Sequence, residues 1–194
     1  MPRRRFLFDT PDRFVAGTVG EPGNRTFYLQ ARDGTRIVSV AVEKVQVAVL
    51  AQRLGDLLDE LERRGIEGAE DEDGLAGDSR PLDEPLNEAF RAGVLSLGWD
   101  PADDLILLEA REITEADESE EEDAEAAEET EAFDDDAEEG PDLLRVRVTP
   151  AYAREFIAGA LRVLAAGRPP CPLCGQPLDP QGHLCPRRNG HLLN

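Results

Sequence analysis

Phe14-Val15-Ala16-Gly17 is answered later in the chain by Phe90-Arg91-Ala92-Gly93. Leu29-Gln30-Ala31-Arg32 is answered by Leu108-Glu109-Ala110-Arg111, and Val40-Ala41-Val42 by Val146-Arg147-Val148. The helical stretch that follows keeps register: Leu50, Leu54, Leu57 and Leu58 match Phe156, Ala160, Val163 and Leu164 at one constant offset. A unit written twice, each copy with an apolar face, buries the two faces against each other. The fold class expected is therefore α+β: a duplicated β-β-β-α unit, two sheet-plus-helix halves packed together.

Working outward, the pattern resolves into elements. Residues 4–8 read as a short leading strand. Phe14 to Val19, Arg25 to Arg32 and Thr35 to Val42 are rich in β-branched and aromatic residues, with turns at Glu21-Pro22-Gly23-Asn24 and Asp33-Gly34. From Val45 to Arg64 the period becomes 3.6, with Val47, Leu50, Leu54, Leu57, Leu58 and Leu61 on one face and a stop at Gly65. The second copy repeats the plan in Ala89 to Gly98, Leu105 to Glu112 and Leu143 to Val148. Its helix opens with Thr149 as N-cap and Pro150 as first residue and ends at Gly167. This divides the chain into a first repeat with its leading strand (1–65), an acidic loop linker (66–88), a second repeat (89–167) and a tail (168–194).

The net charge of −21 is local. Residues 113–140 hold sixteen acidic residues and no basic one, and five more lie between Glu67 and Asp73; without those, twenty-one acids face twenty-one bases. A run such as Glu120-Glu121-Glu122-Asp123 cannot bury apolar surface against its own repulsion, so 113–140 is expected to be a disordered insertion. It falls between two strands of the second repeat, where lengthening a loop costs only about 0.6 kcal/mol per doubling. It reads as a solubilising loop or as an anionic arm for a basic partner, with Phe133 as its aromatic anchor.

All three cysteines and both histidines lie in the tail, as Cys171-Pro172-Leu173-Cys174-Gly175, His183-Leu184-Cys185 and His191. Two thiolates on a tight turn, a third thiolate and one imidazole supply the four ligands of a closed tetrahedral zinc site. The expectation is a small zinc-ribbon-like tail with structural Zn2+ on Cys171, Cys174, His183 and Cys185. His191 is the alternative fourth ligand. Four protein ligands leave no open position for water or substrate, and no histidine remains for nucleophilic catalysis. Gly17-Thr18-Val19-Gly20 lacks the lysine ending of a phosphate loop. Neither an apolar run of membrane-spanning length nor a signal peptide is evident, so a cytoplasmic protein is expected.

The opening Phe6-Leu7-Phe8-Asp9-Thr10-Pro11-Asp12-Arg13-Phe14-Val15-Ala16-Gly17-Thr18-Val19-Gly20, together with the Cys171 to Gly190 tail, resembles an actinobacterial family of unknown function, the ParJ-like family, described as repeat proteins. The family pattern ends in Asn-Gly-Tyr where this chain has Asn189-Gly190-His191, which favours His183 over His191. The resemblance implies a link to the chromosome-partitioning ATPase ParA and brings no catalytic residues with it. The leading functional expectation is a non-enzymatic cytoplasmic regulator or adaptor with a protein partner. The alternative is a nucleic-acid-binding module of sheet-helix units plus zinc ribbon. Against that alternative stands charge, because phosphate binding needs a basic surface and the basic clusters are only Arg3-Arg4-Arg5 and Arg187-Arg188.

Overall fold

A computed structural model describes residues 3–21, 23–66, 77–113, 140–167 and 173. Among these residues seven strands and two helices follow in the order β1 (Arg5–Asp9), β2 (Arg13–Val19), β3 (Thr26–Asp33), β4 (Arg36–Val42), α1 (Lys44–Arg63), β5 (Glu88–Asp100), β6 (Leu105–Glu112), β7 (Leu143–Val148) and α2 (Pro150–Ala165). The class is α+β, with one mixed sheet ordered β1-β7-β6-β5-β4-β3-β2. β5 runs two residues further than its sequence pattern suggests, ending at Asp100. The tight turn is Gly34-Thr35, because Asp33 already pairs with Arg36.

The helix ends follow local chemistry. Thr149 caps α2 by accepting the Tyr152 amide, with Pro150 in the first turn. At the end of α1, Gly65 takes φ 74°, its amide reaches the Glu62 carbonyl and the Ile66 amide reaches that of Leu61. That is the Schellman pattern, which needs a residue free to enter the left-handed region.

Alternation along the strands sends Phe14, Leu29, Ala31, Val40, Phe90, Ile106, Leu108, Ala110, Leu144 and Val146 into one core with Leu50, Leu54, Leu58, Phe156 and Ala160 of the helices. β1 and β2 lie at opposite ends of the strand order, yet only Thr10 to Asp12 join them. That link spans at most about 14 Å, whereas seven flat strands extend roughly 29 Å. The sheet therefore curls until its ends meet. Arg36 of β4 fastens the closure, donating to the Leu7 carbonyl at 3.0 Å and lying 4.5 Å over the Phe8 ring.

The two seams are the parallel pairs, β1 with β7 and β4 with β5. The second seam is short: β5 pairs with β4 only at Glu88 and Arg91, passes an irregularity between Ala92 and Val94, and continues to Asp100 against β6 alone. Among the described residues, Val94 to Asp100 thus have a strand on one side only. Glu112 and Leu143, which flank the acidic insertion, lie at the ends of the antiparallel pair β6–β7. Residues 114–139 and Phe133 lie outside the described residues.

Candidate functional site

Cys171, Cys174, His183, Cys185 and His191 also lie outside the described residues, so the structure brings none of the expected zinc ligands together or apart. Among the described residues no group of three His, Cys, Asp or Glu side chains is arranged to hold a metal ion.

The buried charges of the folded part are tied to one another. Arg13 is 2 % exposed in its side chain. Its Nε donates to Asp78 at 2.7 Å and its Nη1 to Asp83 at 2.9 Å, while Nη2 reaches the Arg80 and Pro81 carbonyls. These partners belong to residues 77–87, an extended strap between α1 and β5 that crosses the outer face of β2 and β3. Gln30 holds the same strap, accepting the Asp83 amide and donating to the Asp83 carbonyl and to Ser39. The Asp78 carboxyl is held well below the usual carboxylate range, foremost by hydrogen bonds from Arg80 and then by Arg13, against the opposing cost of its burial. On the other half, Glu109 takes Arg145 on Oε2 at 2.8 and 3.0 Å and Arg111 on Oε1 at 2.7 Å. Arg147 gathers Asp9, Asp100 and Asp103, linking β1 and β7 to the β5–β6 turn. The charged groups in these networks cross-link the fold.

The two helix–strand junctions are built alike and end differently. Each helix fixes itself to the neighbouring strand through its third residue. Tyr152 accepts the Phe14 amide of β2 at 2.7 Å, and Gln46 donates to the Ala92 and Gly93 carbonyls of β5 at 3.2 and 2.9 Å. Burial pushes the Tyr152 phenol up, which keeps it neutral. Beside the α2–β2 junction, Tyr152, Glu155, Phe156 and Gly159 line a residual space of only about 10 Å³. Beside the α1–β5 junction, Gln46, Val49, Leu50 and Arg53, each 106 residues before its α2 counterpart, line a groove of about 200 Å³.

The groove is apolar. Its floor is Gly93, Leu95 and Leu97 on β5, and its wall is Val45 and Val49 on α1. Val45, Val49 and Arg53 follow one another at helical spacing along one side of α1. Val45 is 66 % exposed and Val49 44 % exposed beside the half-buried Leu95 and Leu97, so water meets an aliphatic patch here. Arg53 is exposed at its rim and makes no ion pair among the described residues. Sequence reading singled out Leu50 as core and passed over the groove. The available signal was a pair of valines at i and i+4 on the otherwise polar side of α1.

No described helix is long and apolar enough to cross a membrane. No curated protein and no solved structure matches the chain. A family model described as "Protein of unknown function (DUF3090)" matches residues 6–185, which takes in the curled sheet, both helices and both junctions, and the chain belongs to that family.

Proposed function

We propose that this protein is a non-enzymatic cytoplasmic adaptor or regulator whose α1–β5 groove binds a protein partner. The observation that carries the reading is the exposed aliphatic patch of Val45 and Val49 over Leu95 and Leu97. Burying such a patch is worth roughly 25 cal/mol per Å² of apolar area, and nothing in its chemistry suits a polar reaction. The resemblance to the ParJ-like family makes a ParA-type ATPase the first partner to test.

The test is capture from the native cytoplasm by full-length protein, wild type against Val45→Asp/Val49→Asp. Both positions are exposed on a helix, so the variant should melt with the wild type. Loss of specific partners from the variant is the expected result. Identical partner sets would sink the reading.

We also propose that the two halves are one duplicated β-β-β-α unit. Matched positions do matched work: Gln30 pairs across strands with Ser39 where Glu109 pairs with Arg145, and Gln46 ties α1 where Tyr152 ties α2. The tail is proposed as a zinc-ribbon-like unit with structural Zn2+ on Cys171, Cys174, His183 and Cys185. His183 is preferred to His191 as the fourth ligand, and the family match, which ends at Cys185, includes the former and leaves out the latter. Cys174→Ser should release one zinc per chain and expose 168–194 to protease while the main melting transition barely moves, because residues 8–164 already supply a large core cluster among the described residues. His183→Ala should lose metal and His191→Ala should keep it. Metal content, limited proteolysis and calorimetry read these outcomes, and unfolding of the whole chain on chelation would contradict them.

A further inference from the structure

The α2–β2 junction shows what fills a groove of this kind. The strap enters it at Gly77, where an added Cβ would stand 2.2 Å from the Gly159 amide nitrogen and 2.4 Å from the Glu155 carbonyl, so backbone lies directly on backbone. Arg162 donates to the Gly77 carbonyl at 2.8 Å. Asp78 follows, lining the remaining space and giving its carboxylate to Arg13. The occupant is thus an extended piece of chain with a small residue followed by an acidic one, fixed by guanidinium groups.

The α1–β5 groove presents the same four helix positions and, among the described residues, no such segment. Where α2 has Gly159, α1 has Arg53, a cation that makes no ion pair among the described residues, at the rim of an apolar cleft. Beyond the groove floor, the edge of β5 from Val94 to Asp100 has no strand beside it among the described residues, leaving backbone groups to hydrogen-bond an incoming chain. Resting on the adaptor reading above, we propose that the α1–β5 groove binds an extended segment of a partner protein in which a small or aliphatic residue precedes a carboxylate, the small residue seating between Val49 and Leu97 and the carboxylate pairing with Arg53. The segment is of the same kind as the chain's own Gly77-Asp78, a small residue and then a carboxylate, with the paired arginine on the helix instead of on the strand.

The probe is a displayed library of short peptides, random except for one central aspartate, selected on the full-length protein and counter-selected on Val49→Asp. Expected are peptides that shift the backbone amide resonances of Val45 to Arg53 and Val94 to Asp100. They should lose about tenfold or more in affinity with Arg53→Glu and, when their own aspartate is made asparagine, lose affinity for wild type but not for Arg53→Glu. Peptides that need Val49 but ignore Arg53→Glu would overturn the acidic-segment inference while leaving the groove as the adaptor's site. Absence of any peptide that separates wild type from Val49→Asp overturns it, as do shifts confined to another surface. Sedimentation showing a dimer that Val49→Asp converts to monomer would assign the groove to a second copy and likewise overturn it.

Discussion

Arg13→Met should lower stability by about 3–5 kcal/mol, because removing one member of a buried ionic network strands the others away from water. The guanidinium fills four acceptors at once, Asp78, Asp83 and the Arg80 and Pro81 carbonyls, from a side chain only 2 % exposed. Methionine restores most of the volume and none of the donors. For a chain of this size such a loss corresponds to a melting temperature lower by about 10 °C. Arg13→Lys should recover only part of it, since one ammonium cannot match a planar fork aimed at acceptors on two sides. Thermal melting of the three proteins reads the effect. A drop of a degree or two for Arg13→Met would mean that the strap holds itself without the arginine.

The same network sets a pH window. The folded-state pKa of Asp78 is depressed, so its contribution is fully present above the unfolded carboxylate value of roughly 4 and is lost as pH falls below it. The stability difference between wild type and Asp78→Asn should therefore hold constant from pH 7 to pH 5. It should then shrink as the medium is acidified below about pH 4. A difference already gone at pH 5 would show that the carboxylate is not held in its charged form by Arg80 and Arg13.

Local pattern carried the elements and stopped where contacts became distant. The repeated plan of apolar runs marks β6 and β7 at their observed ends, and the 3.6 period with Thr149 and Gly65 marks the helices. Those signals live within a dozen residues. The curl of the sheet does not, since it follows from pairing Arg5–Asp9 with strands near residue 145. Residues 77–87 read as linker because Gly77-Asp78-Ser79-Arg80-Pro81 is polar and turn-rich; what holds them is Arg13 and Gly159, each more than sixty residues away. Arg13 itself sits on a strand face that polarity alone would assign to solvent. The groove was hidden for a related reason, because its existence depends on how closely α1 approaches β5 and no residue's identity records that distance.

Glu109→Leu should cost a similar 3–5 kcal/mol, by the opposite member of an ion pair. Glu109 faces Arg145 directly across β6 and β7, with 1 % and 8 % of their side chains exposed, and takes both Nε and Nη2 of the arginine on one oxygen. Arg111, at 36 % exposed, can turn to water when its acceptor goes, whereas Arg145, at 8 %, has far less access to it. A buried pair removed whole is far less costly than one removed by half, because the desolvated charge leaves with its partner. Glu109→Leu/Arg145→Leu should accordingly be more stable than Glu109→Leu alone, a coupling that denaturant titration of both singles and the double would read. Additive losses would show that the two side chains contribute independently, through packing and their other neighbours. Between β3 and β4 the buried cross-strand pair is neutral, Gln30 with Ser39. Gln30→Leu should therefore cost less than Glu109→Leu, since it leaves hydrogen-bonding groups of the strap and a hydroxyl unpaired but no buried charge.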